Sequence, residues 1–118
     1  ELTQDILEFR KVDSEHRQLY VELVDIRSTL KDIAESFAIL ANRKKIVYDY
    51  KIEDIKQWPT DHSALVTIVT NLISNSIENT INGGKVSIKV ENKEEKLFIR
   101  VENTGNEIGF SINITSLI

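Results

Sequence analysis

Apolar residues change their spacing between positions 62 and 101, and this change constrains the fold more than any other feature of the sequence. The first set recurs every three or four residues, as on one side of a helix: Leu65, Ile68, Val69, Leu72, Ile73 and Ile77. The second set alternates around "NKEEK", as on one face of a β-hairpin: Val86, Ile88, Val90, Leu97, Ile99 and Val101. A helix and a hairpin that each carry one apolar face bury those faces by packing together.

The upstream residues mix the same two patterns. "RQLYVELVD" and "KIVYDYKI" alternate and predict strands, whereas Ile26 to about Lys44 carries one apolar stripe and predicts a single helix capped by Asp25. "ELTQDILEFRKVD" is spaced helically and predicts the last turns of a longer helix. The order is helix, strand, helix, strand, helix, hairpin and a short apolar tail. It favours an α/β two-layer sandwich with helices on one face of a mixed sheet.

Turn and cap residues mark the boundaries of the helix that contains Leu65. Pro59, the only proline, breaks the chain and pushes Trp58 toward an extended conformation. Thr60 or Asp61 can then cap the start of the helix. At its far end, Asn82 and the glycines of "INGGK" predict a left-handed cap followed by a turn.

Composition excludes several classes of function. The 118 residues suffice for one domain with one core. The net charge of −4 comes from 19 acidic and 15 basic residues spread along the chain, so we expect no nucleic-acid surface. The absence of cysteine excludes disulfides and thiolate metal sites, and no apolar run reaches the roughly 20 residues of a transmembrane helix. Methionine is also absent, which indicates a fragment or a sequence with residues missing.

A polar stripe runs along "NLISNSIENT" in the same helix. On a helical wheel Asn71, Asn75 and Glu78 fall within about 60° of one another, with Asn79 beside them. For the helix taken alone, a solvated face is the simpler interpretation. Asparagine is nevertheless a poor helix former, and its neutral amide oxygen can bind Mg²⁺ together with phosphate oxygens and water. The stripe therefore suits a metal–phosphate site.

A second polar stretch follows the hairpin. "VENTGNEI" places Asn103, Thr104, Gly105 and Asn106 where glycine and short polar side chains permit close approach of the backbone to a ligand. Because the helix and the hairpin are packed neighbours, we expect this turn and the asparagine stripe to line one pocket.

These stretches resemble the ATP-binding catalytic domain of sensor histidine kinases, which belongs to the Bergerat ATPase class. "NLISNSIENT" is similar to the N box of that family, with Asn71, Asn75 and Thr80 in matching positions. "VENTGNEI" is similar to the first glycine box through Gly105, and "GFSINITSLI" to the start of the second through Gly109. "ILEFRKVD" resembles the end of the dimerisation helix, especially in hybrid two-component sensors.

The resemblance implies a Bergerat fold that is incomplete at the C-terminus. Residues 1–13 would end the dimerisation helix and linker, and residues 14–118 would form the ATP-binding domain. The implied activity is that of an ATP-dependent protein-histidine kinase, which transfers the γ-phosphate of ATP to a histidine of the adjoining dimerisation domain. That acceptor histidine is not in this chain.

The resemblance also implies the cofactors and the site. These are ATP and Mg²⁺, with Asn75 as the metal ligand. The implied nucleotide-binding residues are Asn71, Asn75, Glu78, Asn79, Asn103, Gly105 and Gly109.

The implied partners are the dimerisation and phosphoacceptor helices of the same protein and the receiver domain of a response regulator. The full-length protein would be a homodimer, and this domain would bind no nucleic acid. The implied location is cytoplasmic, as part of an inner-membrane-anchored sensor.

Several residues depart from the family pattern. Glu78 and Asn79 stand where the N box has a lysine and an aromatic residue, so a cationic phosphate contact and an adenine-stacking ring are absent. Asn103 replaces the aspartate that accepts a hydrogen bond from the adenine amino group, and its oxygen can accept that bond without charge assistance. Glu107 replaces a glycine and adds negative charge near the phosphates.

The lid of the family leaves two alternatives open. Ile108 is followed at once by Gly109, whereas the family has a mobile lid between its two glycine boxes. In one alternative the domain has lost the lid and is a degenerate pseudokinase that serves as an interaction or phosphotransfer-scaffold module. In the other the lid is missing only from this sequence, as mobile segments often are. We favour the second alternative.

Overall fold

Strands and amphipathic helices are mixed along the chain and form two layers. The computed structural model describes residues 4–9, 20–104 and 109–115. In chain order its elements are β1 (Gln4–Phe9), β2 (Val21–Val24), α1 (Ile26–Ser36), α2 (Ala38–Arg43), β3 (Val47–Ile52), β4 (Trp58–Asp61), α3 (His62–Glu78), β5 (Lys85–Lys93), β6 (Lys96–Asn103) and β7 (Gly109–Thr115).

Five strands form one mixed sheet in the order β1–β7–β6–β5–β3. The outer pairs β1/β7 and β3/β5 are parallel, and β5, β6 and β7 are antiparallel neighbours. The chain leaves β3, passes through α3 and returns as β5 beside it, so α3 is the crossover helix of this parallel pair. A separate two-stranded sheet pairs β2 with β4.

The core lies between α3 and the central strands. The apolar stripe of α3 is buried through Leu65, Val69, Ile73 and Ile77. The facing sheet residues are buried as well: Val86, Ile88, Val90, Leu97, Ile99 and Val101. The predicted mixed sheet with helices on one face, the predicted hairpin and the predicted helix stripe are therefore confirmed. In the described part of the chain, no helix is both long and apolar enough to cross a membrane.

The helix predicted for the first residues is wrong over Gln4–Phe9, which form strand β1 instead. β1 pairs in parallel with β7, with Leu7 opposite Ile112. The helical pattern rested on few apolar positions. Without β1, strand β7 would be the edge of the sheet, and the backbone N–H and C=O groups on its outer side would lack partners in the sheet. The predicted tail begins as a strand, β7. The predicted domain boundary after residue 13 stays a prediction, since residues 10–19 are outside the described ranges.

The helix predicted from Ile26 to about Lys44 is interrupted at Phe37. Asp25 caps its start as predicted, since its Oδ1 accepts a hydrogen bond from the Ser28 amide at 3.1 Å. The Phe37 amide bonds to the Ala34 carbonyl three residues back, at 3.2 Å, and so ends α1 before α2 begins. The spacing of the apolar residues stays nearly the same across one such tight turn. The spacing alone therefore did not reveal that α1 and α2 are separate helices.

The prediction that Pro59 breaks the chain is wrong, because Pro59 lies within strand β4, opposite Leu23 of β2. A proline fits a strand with one neighbour, because its missing N–H can point away from that neighbour. Trp58 is extended, as predicted, and only 6% exposed.

Candidate nucleotide site around helix α3

Asp61 holds the N-terminal end of α3. Its Oδ1 accepts a hydrogen bond from the Ala64 amide at 2.9 Å, and its Oδ2 accepts one from the Tyr20 amide at 2.9 Å. Of the two predicted cap residues, Asp61 is therefore the cap, and it also ties α3 to the chain that enters β2. The helix that carries the asparagines is fixed at its start.

The polar stripe of α3 is exposed, as its spacing predicted. Asn71, Asn75, Glu78 and Asn79 are all exposed, whereas the apolar side of the same turns is buried. Within the described ranges, the side-chain amides of Asn71 and Asn75 form no hydrogen bond with another residue. Both amides are thus available to a ligand.

Asn79 and Thr80 cap the C-terminal end of α3 with their side chains. The Asn75 carbonyl accepts hydrogen bonds from the Asn79 amide at 3.0 Å and from Asn79 Nδ2 at 2.9 Å. The Ser76 carbonyl accepts one from Thr80 Oγ1 at 2.7 Å. Two of the four carbonyls that a helix end leaves open are satisfied in this way. Part of the amide and hydroxyl content of "NLISNSIENT" is therefore structural.

Lys44 binds the other two carbonyls of that helix end, and that of Ile77 also accepts a hydrogen bond from the Thr80 amide at 3.3 Å. Its Nζ donates to the Ile77 carbonyl at 2.7 Å and to the Glu78 carbonyl at 2.9 Å. The predicted left-handed cap at Asn82 and the glycines is wrong, because α3 ends at Glu78 and Gly83 has a positive φ only five residues later. Side chains replace the glycine cap, so the turn with Gly83 serves to redirect the chain into β5.

A buried chain of hydrogen bonds joins α3 to the end of β6. Asn103 Nδ2 donates to Thr80 Oγ1 at 2.9 Å, and that hydroxyl in turn donates to the Ser76 carbonyl. Thr80 and Ser76 are at most 1% exposed and Asn103 is 9% exposed. Since the hydroxyl proton is used on the Ser76 carbonyl, Thr80 can only accept from residue 103, which suits the amide of asparagine.

Gly84 lets the end of α3 approach the end of β6. A Cβ at Gly84 would lie 2.6 Å from Thr80 Cγ2 and 2.8 Å from the Thr104 carbonyl oxygen. Around it, the Lys85 amide bonds to Thr104 Oγ1 at 3.0 Å and the Thr104 amide to the Lys85 carbonyl at 2.9 Å. The beginning of "VENTGNEI" is thus held against the end of "NLISNSIENT".

The structure brings only some of the predicted site residues together. Asn103, at the end of β6, bonds to Thr80 just after α3, so the two polar stretches are neighbours, and the pocket that they were expected to share stays a prediction. Gly109 is the first residue of β7 and lies opposite Glu102 of β6. Gly105 and Glu107 lie outside the described residues. A cleft of about 600 Å³ elsewhere, lined by residues 53–59 with Asn92 and Glu95, contains none of the predicted residues.

The donor groups of α3 suit a divalent ion that a phosphate helps to hold. In the described ranges, no cluster of three or more histidine, aspartate or glutamate side chains could hold a metal by itself. Mg²⁺ commonly takes one or two protein oxygens and completes its shell with phosphate and water. The exposed amide of Asn75, with that of Asn71 one turn away on the same face, fits this kind of site.

Three residues that shape the site were not among the predicted ones: Lys44, Ser76 and Gly84. Ser76 and Gly84 lie inside stretches that the sequence analysis singled out. A helical wheel would have placed Ser76 on the apolar side of α3, and so would have marked it as a buried polar residue. Lys44 is 33 residues from Ile77, so no local pattern links the two.

Comparison with known proteins agrees with this geometry. Residues 60–115 match the family model of the histidine kinase-, DNA gyrase B-, and HSP90-like ATPases. "Histidine kinase P4" of Formosa agariphila is 27% identical over 106 residues, which are 89% of this chain and 8% of that protein. "Sensor histidine kinase RppB" of Synechocystis is 29% identical over 107 residues, again 89% of this chain and 23% of that protein. The chain thus spans less than a quarter of the length of either relative.

Solved structures show the same fold. The catalytic domain of histidine kinase ThkA superimposes with a TM-score of 0.69 at 19% identity, over 74% of this chain and 60% of that one. ThkA in complex with the response regulator protein TrrA gives a TM-score of 0.69 at 22% identity, over 78% of this chain and 28% of that one. The matched segment contains α3, β5, β6 and β7, and it includes the stretches that resemble the N box and the two glycine boxes. Residues 60–115 thus match the histidine kinase-, DNA gyrase B- and HSP90-like ATPase family, and the chain has the fold of the catalytic domains of histidine kinases.

Proposed function

We propose that this domain binds ATP together with Mg²⁺ and presents the γ-phosphate to a histidine on the dimerisation helices of the same protein. The observation that carries the proposal is the hydrogen bond of 2.9 Å between Asn103 and Thr80. It holds the end of β6, just before "TGNEI", next to the end of the helix that carries Asn71 and Asn75, and so supports a site built from both polar stretches.

In this proposal Asn75 is the protein ligand of Mg²⁺, and Asn71 donates hydrogen bonds to the phosphates from the preceding turn. Bound Mg²⁺ would supply charge neutralisation for the phosphate oxygens. The work of the protein is then mainly positioning, since phosphoryl transfer needs alignment and electrostatic stabilisation more than covalent chemistry. The capped and buried helix end provides a rigid base for such alignment.

Asn103 and Gly105 form the adenine end of the proposed site. The bond from Asn103 Nδ2 to Thr80 orients the amide, so its oxygen is directed away from Thr80. Gly105 and Gly109 allow the backbone to approach the nucleotide closely. Since the amide carries no charge, we expect weaker ATP binding than an aspartate at this position would give.

Glu78 and Asn79 contribute to the proposed site through the helix end. Asn79 uses its amide group on the Asn75 carbonyl, so its role is to hold the turn that carries the metal ligand. Glu78 exposes a carboxylate next to that turn, and its carbonyl binds Lys44. A carboxylate there opposes phosphate binding, which again predicts modest affinity.

The proposed partners follow from the kind of protein that contains such a domain. They are the dimerisation and phosphoacceptor helices of the same protein, within a homodimer, and the receiver domain of a response regulator. ThkA, which shares the fold, has been solved in complex with a response regulator protein. We propose a cytoplasmic position for the domain, within a membrane-anchored sensor.

Calorimetric titration of the full chain with ATP tests the proposal directly, in excess Mg²⁺ and again with a chelator. We expect binding that Mg²⁺ strengthens, and a loss of that strengthening by about tenfold or more in Asn75→Ala. Asn42→Ala is the matched control, because Asn42 is an exposed helical asparagine on α2. If the wild-type chain binds no ATP in either condition, the kinase function is contradicted and the pseudokinase alternative is supported.

A further inference from the structure

Lys44 sits where two parts of the fold meet the end of α3. Its own backbone ends α2, with the amide bonded to the Leu40 and Ala41 carbonyls at 3.3 and 3.1 Å. Its side chain is partly buried and reaches across to the Ile77 and Glu78 carbonyls at 2.7 and 2.9 Å. The ammonium group thus lies at the C-terminal end of α3, within hydrogen-bond distance of both carbonyls.

The segment around Lys44 is itself anchored to the loop that follows α3. The Gly83 amide bonds to the Lys45 carbonyl at 3.1 Å, and the Val47 amide bonds to the Gly84 carbonyl at 2.9 Å. The amine therefore extends from a backbone that is fixed on both sides. A long lysine side chain held in this way loses much of its rotamer freedom, so its hydrogen bonds must offset that cost.

The interaction is stronger than a neutral cap. A cation at the C-terminal end of a helix is favoured by the helix dipole, and its hydrogen bonds to carbonyl oxygens are charge-assisted. The chain uses it in place of the glycine cap that commonly ends a helix. A substitution of Lys44 by an uncharged residue without donors would leave the Glu78 carbonyl without this partner, and the Ile77 carbonyl with the bond of 3.3 Å from the Thr80 amide.

The turn that Lys44 closes is the turn that carries the proposed metal ligand. Asn75 begins the last turn of α3, and its carbonyl is bound by Asn79, the residue directly after the helix end. If the Ile77 and Glu78 carbonyls lose the amine, that turn can fray, and the Asn75 side chain no longer keeps one direction.

We propose that Lys44 is a positioning residue of the Mg²⁺–ATP site, which acts by fixing the last turn of α3. The inference rests on the proposed function, since it gives Lys44 a role only if Asn75 binds the metal. Lys44 would contact neither nucleotide nor metal. Its effect would appear in the part of the ATP affinity that depends on Mg²⁺.

The test is calorimetric ATP titration of the full chain with Mg²⁺ and with a chelator, well below the unfolding temperature of each variant. Lys44→Met keeps the length of the side chain but removes charge and donors, and Lys44→Arg keeps both. Lys31→Met, at an exposed lysine of α1, is the matched control. Asn75→Ala shows the size of a complete loss of the metal ligand.

We expect the strengthening of ATP binding by Mg²⁺ to fall about tenfold in Lys44→Met, to recover in Lys44→Arg and to be unchanged in Lys31→Met. Amide hydrogen exchange at Asn79 and Thr80 should become faster in Lys44→Met alone. Should Lys44→Met fail to fold, Lys44→Gln, which keeps donors without the charge, replaces it under the same criteria.

Two results would overturn the inference and leave the proposed function standing. One is an unchanged Mg²⁺ effect in Lys44→Met while Asn75→Ala loses it. The other is an equal loss of affinity with and without Mg²⁺, which would mean a general structural role. A wild-type chain that binds no ATP would instead contradict the proposed function, and the inference with it.

Discussion

The C-terminal half of α3 has polar groups on a buried side, where it meets the end of β6, and on an exposed side. The two sides use their hydrogen-bonding groups differently. On the buried side, Asn103, Thr80 and the Ser76 carbonyl form a continuous chain of hydrogen bonds. On the exposed side, the amides of Asn71 and Asn75 have no such partner among the described residues. A buried polar group that loses its partner is costly, whereas an exposed one is solvated by water. The buried side therefore holds the fold, and the exposed side is left for a ligand.

This contrast has a measurable form. Changes on the buried side should reduce the free energy of unfolding, and changes on the exposed side should reduce ligand affinity with little effect on unfolding. A change that moved both quantities equally on either side would remove the distinction.

Gly84→Ala should have the largest effect on stability. The added Cβ would meet the Thr104 carbonyl oxygen at 2.8 Å and Thr80 Cγ2 at 2.6 Å, so backbone has to move. We expect a loss of about 3 kcal/mol in the free energy of unfolding, measured by urea denaturation. Gly83→Ala is the control: it meets no atom within 4 Å, but its φ of 85° is strained for alanine, so we expect a loss of about 1 kcal/mol. Equal losses in the two variants would show that the close approach at Gly84 is unimportant.

Thr80→Val should come next, because it removes the hydroxyl that links Asn103 to the Ser76 carbonyl while keeping the shape of the side chain. We expect a loss of about 2 kcal/mol in the free energy of unfolding, since two buried groups lose this partner. Thr67→Val, at an exposed threonine of the same helix, provides the matched control and should change stability by less than about 0.5 kcal/mol. If both threonines gave the same small change, the buried chain of hydrogen bonds would contribute nothing.

Asn71→Ala should have the smallest effect on stability and the opposite sign. Alanine is a better helix former than asparagine, and the exposed Asn71 amide loses no partner within the described structure, so we expect a gain of about 0.5 kcal/mol. The same variant should bind ATP more weakly in a calorimetric titration. A clear loss of stability would mean that the exposed side also holds the fold.

Much of the fold could be predicted from the sequence because its signals were local. The spacing of Leu65, Val69 and Ile73 identified α3, and alternation identified the hairpin, since both patterns report directly which face is buried. The exposed stripe of Asn71 and Asn75 followed from the same geometry.

The features that escaped prediction depend on contacts between distant residues. β1 is a strand because it pairs with β7. In this pairing Leu7 lies opposite Ile112, which is more than 100 residues away in the sequence. The helix end is closed by Lys44 from 33 residues away, so the nearer glycines of "INGGK" were a misleading signal. Local propensity is outweighed where a distant partner satisfies the same backbone groups.

The stabilisation of the full chain by Mg²⁺–ATP tests most directly whether the exposed side of α3 binds ligand while the buried side holds the fold. Unfolding is measured with and without ligand at about 100 times the wild-type Kd, where binding to the folded state adds about 2.7 kcal/mol. In Asn75→Ala, unfolding without ligand should be nearly unchanged, and the added stability should fall to about 1.4 kcal/mol or less. An Asn75→Ala variant that is stabilised as strongly as the wild type, or a wild type that is not stabilised, would contradict this division of roles.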